Sequence, residues 1–342
     1  MQEIQDFLND KEIVAISMFQ KLEPMEGRES PVFPATYPAA ERQGHRYDTP
    51  YNVNQLKDGR LVATLDSVQS QANRMEAAFS DELAHAVPRV TVTAGERTVS
   101  LVELPHRLAD AAIRATDLHD EIHDAFEAYD RGQPLALAKL GPTSLVYGAW
   151  DSRDTRVKVP RLIRSEIHAW DVDVFTRSAQ FSGTFSREDL GFTEKEWKQG
   201  ADIGFAPAPS VDAHGGVLVR GDIQQTATIH LGQCRSFERS VEGLGAYILG
   251  LALGGLWTGG RDYSLRTGCW LVPDGGAEVS VINRKGERTT FSLDADAARE
   301  YLEEKALPAA RNLEIPLDEA HHRSATYDPK FGKSLLKKKG DE

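Results

Sequence analysis

Apolar residues recur along this chain in two rhythms, and the clearest helical one starts at Val68. Val68, Ala72, Met75 and Phe79 fall on one face of a helix, with Asp66 or Ser67 placed to cap its first turn. Arg60 to Leu65, just before it, reads as a short strand, so the segment is a strand-to-helix unit. A second helix is predicted over Leu244 to Trp257, which is apolar on every side and therefore buried. That run is shorter than the roughly 20 residues a bilayer span requires. Its glycines, Gly245, Gly250, Gly254 and Gly255, suit close approach to a sheet.

The remaining pattern is mixed. A short helix is predicted near Glu12 to Lys21, followed by an irregular proline-rich segment from Pro24 to Pro50. Val87 to Val92 and Thr98 to Val102 read as strands joined at Gly95, Arg107 to Tyr129 as a long helix, and Leu145 to Trp150 as a strand. Ile167 to Phe175 favours strand and Glu194 to Ile203 a short helix. Gly216 to Val219, Gln225 to Leu231 and Cys269 to Val272 are further strands. Val279 to Asn283 and Thr289 to Leu293 flank a hairpin turn at Arg284-Lys285-Gly286-Glu287, and Asp294 to Lys305 forms an amphipathic helix.

Strand–helix units mixed with hairpins point to an α+β fold rather than a regular βα alternation. A modified ferredoxin-like or RNA-recognition (RRM-type) core with large insertions fits the order, its halves supplied by the helix after Asp66 and the helix at Leu244. The expected organisation is one domain over 1–342, an insertion at about 103–215, and a flexible basic tail over 325–342.

Net charge is −12 and the sequence pI about 5.4, which excludes a protein that coats nucleic acid through overall positive potential. A local stripe of cations on an acidic body is still compatible with phosphate binding. Cys234 and Cys269, the only cysteines, are too few for a disulfide framework or a four-cysteine zinc site, which suits a reducing compartment. Met1 to Asp10 lacks a basic region followed by an apolar run, so the expectation is a cytoplasmic protein with no membrane partner.

Catalytic signatures are scarce. His119 and His123 share a helix face at metal-ligand spacing, but Asp120 stands where a zincin has glutamate, and the stretch reads equally as a solvated polar face. No catalytic residue, metal site or cofactor is therefore assigned. Two polar clusters stand out instead. Arg153, Arg156, Lys158, Arg161 and Arg164 lie close together with Asp154 as the only acid among them, an inversion of the chain's overall charge. Gln69, Ser70, Gln71, Asn73 and Arg74 crowd the helix after Asp66 with groups that bond sugar and phosphate oxygens. Composition alone assigns the first cluster to a surface patch paired with nearby acids and the second to a polar helix face.

Several segments, in order, carry a family likeness: Glu26-Gly27-Arg28-Glu29-Ser30-Pro31-Val32-Phe33-Pro34, Asp66-Ser67-Val68-Gln69-Ser70-Gln71-Ala72-Asn73-Arg74, Val146-Tyr147-Gly148-Ala149-Trp150-Asp151-Ser152-Arg153 and Pro160-Arg161-Leu162-Ile163-Arg164-Ser165-Glu166-Ile167. Tyr247 to Leu253, Leu265 to Cys269 and Val281 to Arg284 continue it. Together they resemble the backbone RAMP subunit, of the Cas-seven type, in the Cascade complex of type I-G (formerly I-U) CRISPR systems. The resemblance implies a non-catalytic protein that assembles head to tail with copies of itself along a CRISPR RNA, beside other Cascade subunits. Target DNA is then read by the guide. It implies RNA contacts at Arg28, Gln69, Ser70, Gln71, Asn73, Arg74, Arg153, Lys158, Arg161 and Arg164.

Overall fold

A computed structural model describes residues 2–37 and 49–337. The strands that position the site are β1 (Ile13–Pro24), β2 (Leu61–Asp66), β3 (Ile163–Trp170), β4 (Val172–Phe181), β5 (Ala208–Val219), β6 (Ile223–His230), β7 (Cys269–Pro273) and β8 (Glu278–Asn283). The helices that matter here are α1 (Val68–Ala77), α2 (His119–Asp130), α3 (Leu231–Ser240), α4 (Leu244–Trp257) and α5 (Pro329–Lys337).

β8, β1, β6 and β3 lie side by side in that order, each pair antiparallel. α1 falls between β1 and β3 in sequence, and α4 between β6 and β8. Across the sheet the core strands therefore stand fourth, first, third, second, the ferredoxin-like order of RNA-recognition folds. The α+β class follows, and α1 and α4 are the helices of its two halves, as the sequence predicts. β2 is an added strand on the outer edge of β3, and β7 extends the edge of β1 beyond β8.

Period-two patterning explains the sheet. Ile163, Ser165, Ile167 and Ala169 of β3 and Ile223, Gln225, Ala227 and Ile229 of β6 all point inward. α1 begins at Ser67, whose hydroxyl accepts the Ser70 amide at 3.3 Å, and buries Ala72 and Met75. α4 is buried at every residue, as an all-apolar helix must be. Among the described residues no helix is long and apolar enough to cross a membrane. Cys234 and Cys269 are both buried and free.

Several predicted elements differ. Residues 13–21 belong to β1, not a helix, and Glu12 lies in the turn before it. A register shift between Ile13 and Ala15 breaks the alternation at the start of the strand, and a buried Gln20 hides it further on. The expected helix 107–129 is split: Arg107 takes a left-handed φ of 57°, Asp110 caps a single turn at Ala111–Arg114, and only α2 is long. Residues 143–147 are helical, and the turn at Gly148, with φ 81°, leaves a strand of only Ala149–Trp150. The α4 glycines approach helices rather than the sheet, since Gly250 faces Ala306 and Gly255 the Tyr147 hydroxyl.

The segment 103–215, read as an insertion, supplies β3 to the middle of the main sheet. What projects is the long β4–β5 hairpin, whose β4 is exposed from Asp173 onward. The expected tail from 325 starts in a strand, Arg323–Thr326, paired parallel with Val90–Ala94, and continues into α5. Residues 338–342 of that tail, and Pro38 of the proline-rich segment, lie outside the described residues.

One polar network sits inside the core. Gln71 donates to Asp66 Oδ2 at 2.7 Å, and its own carbonyl oxygen accepts from the Ser165 hydroxyl at 2.8 Å and from Gln225 at 2.9 Å. Gln225 in turn donates to the Gly260 carbonyl at 2.8 Å and accepts from the Tyr263 hydroxyl at 2.7 Å. Replacing Gln225 with Leu strands several buried polar groups at once, each costing about 1–3 kcal/mol when left unpaired. Gln225→Leu is expected to lower the unfolding free energy by about 3 kcal/mol in urea titrations, whereas Gln224→Leu on the opposite face of β6 stays within about 0.5 kcal/mol of wild type.

Candidate nucleic-acid interface

The turn at Gly148 sets up the site. A side chain there would meet the Val159 carbonyl and Arg161, so a residue without Cβ lets 147–150 fold back against 158–161. A short antiparallel ladder then pairs Ala149 with Val159 and Trp150 with Lys158. The loop between is braced from inside: the Asp151 carboxylate accepts from the Thr155 amide at 3.1 Å and from its hydroxyl at 2.8 Å.

This hairpin faces the start of α1 across a cleft of about 1110 Å³. Arg107, Arg114, Arg153, Lys158 and Arg161 line it, together with Gln69, His106, His119 and Trp150. Asp151 and Asp154 are the acids in the lining, and both pair with Arg114, the first at 3.2 Å. Arg153 and Lys158 have no acidic partner among the described residues. The Lys158 ammonium instead lies over the Trp150 ring, 4.6 Å from its centre. The cleft is thus cationic although the whole chain is acidic.

Arg161 ties the two sides together. Its Nε donates to the Tyr147 carbonyl at 3.1 Å and its Nη2 to the Gln69 side chain. Partial burial and the nearby Arg107 hold its guanidinium below its usual pKa. Arg107 forms the floor, almost wholly buried, donating to the Gly148 carbonyl at 3.1 Å and to Asn73 Oδ1 at 3.3 Å while pairing with Glu76 at 2.7 Å. At the rim, α5 contributes Leu335 and Leu336.

Of the residues expected to hold RNA, Gln69, Arg153, Lys158 and Arg161 line this one cleft, and Asn73 lies behind it through Arg107. The others are placed differently. Gln71 is completely buried in the core network. Arg74 donates to Asp66 at 3.0 Å and to the Leu265 carbonyl, so it joins α1 to the segment before β7. Ser70 sits in the capped first turn of α1, half-buried. Arg164 projects from β3 and pairs with Glu166 at 2.8 Å, and Arg28 pairs with Glu23 at 2.9 Å and with Asp274, both outside the cleft lining. Arg107, Arg114 and Trp150 line the cleft without being expected from the sequence. An unbroken helix over 107–129 would place the first two elsewhere, and strand patterning at Trp150 carries no sign of a ligand.

His119 and His123 both turn toward Asp154. The His123 ring donates to it at 2.8 Å, while His119 donates to the Arg114 carbonyl at 2.9 Å. Glu121 is taken by Arg323. Among the described residues no group of three or more His, Cys, Asp or Glu side chains is arranged to hold a metal ion.

Residues 16–174 match the family model described as CRISPR-associated protein GSU0053 (Cas_GSU0053). The match indicates a CRISPR-associated protein. No curated protein matches the chain. The matched span runs from within β1 through β3 and includes α1 and all the cations of 153–164, so both sides of the cleft lie inside it.

Glu76 gives the floor a pH dependence. Burial pushes its carboxyl up to about 7, the charge of Arg107 opposing the rise. Between the ordinary carboxyl value near 4.5 and pH 7 the folded chain keeps a proton that the unfolded chain has released. Stability contributed by this group is full below pH 4.5 and is lost as pH rises to 7. Thermal melts across that window are expected to show the decline in the wild type and a flatter profile in Glu76→Gln.

Proposed function

We propose that the chain is a non-catalytic backbone subunit of a type I-G Cascade effector complex, holding the CRISPR RNA that finds target DNA in antiviral defence. The observation that carries this reading is the cationic cleft, in which two polar clusters far apart in sequence meet through the Arg161–Gln69 hydrogen bond. Guanidinium, ammonium and amide groups suit sugar and phosphate, and such contacts position a strand without reading its bases. Specificity then belongs to the guide. A short track per copy suffices if copies repeat head to tail along the strand, since heterologous contacts propagate into filaments. On this reading the β4–β5 arm is the part that reaches a neighbouring copy or the strand itself, and other Cascade subunits close the assembly.

Nucleic acid extracted from the purified complex is expected to have one defined length; a complex that carries no discrete RNA at low salt overturns the proposal. A double variant, Arg153→Glu with Arg161→Glu, is expected to weaken RNA binding at least tenfold at about 200 mM salt and less at about 50 mM. The slope of log affinity against log salt should become shallower by about 0.7 for each phosphate the variant no longer neutralises.

The rival reading is a metal-dependent hydrolase built on His119 and His123, favoured by the carboxylate of Asp154 between them. Elemental analysis and RNA loading of the His119→Ala, His123→Ala protein separate the two. The backbone reading expects substoichiometric metal in the wild type and unchanged loading in the variant; a full equivalent of metal that is absent from the variant would support the rival.

A further inference from the structure

Trp150 is 58% exposed, although it is a large apolar side chain set in a rigid ladder. An exposed indole at one wall of a cationic cleft is a flat π surface beside positive charge. Lys158 already sits over the ring, and Arg153 stands on the connecting loop with no acidic partner among the described residues. The loop's internal bonds from Asp151 to Thr155 fix its shape before any ligand arrives, so little ordering entropy remains to be given up on binding.

We propose that Trp150 is a stacking platform for one unpaired nucleobase, with Arg153 and Lys158 holding the adjoining phosphate. This rests on the RNA-binding reading and adds the class of ligand at this wall: a single-stranded nucleotide, not a paired one. Arg114 meets both of the cleft's acids and leaves one negative charge against the three cations Arg153, Lys158 and Arg161, so the net charge at this wall is positive and calls for an anion. A planar ring next to that charge favours a nucleotide over an acidic peptide, because a base offers a π face to indole and a carboxylate side chain does not. A base held in a duplex has its faces covered by its neighbours, so only an unpaired one can use the platform.

Trp270 is the internal control, since it is 40% exposed and lies outside the cleft lining. The test uses the full chain with a labelled single-stranded RNA, the same strand carrying abasic positions, and a duplex of equal length, read by fluorescence anisotropy. Trp150→Ala is expected to weaken single-strand binding on the order of 5- to 100-fold, the range for removing one stacked base. Its salt slope should stay at the wild-type value, because every phosphate contact is kept. Trp150→Phe should keep most of the affinity, Trp270→Ala should match wild type, and the abasic strand should bind wild type and Trp150→Ala alike.

Single-strand binding by Trp150→Ala as tight as wild type overturns the stacking role while leaving RNA binding intact. Equal affinity of the wild type for the abasic and complete strands does the same. Binding of polyglutamate as tight as that of RNA overturns the ligand class. A wild-type chain that binds no RNA removes this proposal and the functional reading together.

Discussion

Asp66 is the fixed point of this structure. Its carboxylate is completely buried, which is tolerable only because every approach to it is a donor: Gln71 and Arg74 at one oxygen, Arg266 at the other. Arg266 also donates to the Leu65 carbonyl at 2.8 Å, so the segment before β7 is bound to the end of β2. Through Gln71 the same carboxylate reaches Ser165 on β3 and Gln225 on β6. Strands and a helix widely separated in sequence thereby agree on one register, and only polar groups of that geometry fit. A network that is fully satisfied specifies an arrangement more narrowly than apolar packing does.

That network explains why the amide-rich helix divides its labour. Gln71 and Arg74 lie on the side of α1 that meets the sheet, whereas Gln69 reaches the cleft. In sequence they are one polar run, and nothing local separates a side chain committed to the core from one left for a ligand. The separation comes from residues almost a hundred or more positions away, which a reading of one segment cannot see. The cluster at 153–161 is easier to recognise because its charge opposes that of the chain. Even there, Arg114, which pairs with the cleft's own acids, is brought to them only by the fold.

The architecture is more legible than the site. α4 is readable to its ends because it is uniformly apolar, and α1 because its period and its cap agree. Their positions, one in each half of the chain, suffice to imply the ferredoxin-like core. β1 is hidden by a bulge and a buried glutamine, both of which disturb the alternation by which a strand is known. The break at Arg107 is invisible because a left-handed arginine leaves no trace in composition. Fold alone does not assign function, and the family match concerns residues 16–174 only. The cleft joins the two kinds of information, since its cationic and amide lining lies within the matched span and has a chemistry of its own.

The hydrogen bond between Arg161 and Gln69 has a mechanical side. Gln69 lies in the first turn of α1, at the end anchored on Asp66, and Arg161 lies two residues before β3, with Leu162 between them donating to the Val146 carbonyl at 2.9 Å. A pull on any ligand held at Arg161 is therefore carried along two short routes, through the helix and through the strand, that converge on Ser165 and Gln71. The joint is triangulated, like a bracket rather than a hinge. A strand threaded past it would be resisted by the sheet as a whole, not by the stiffness of a surface loop.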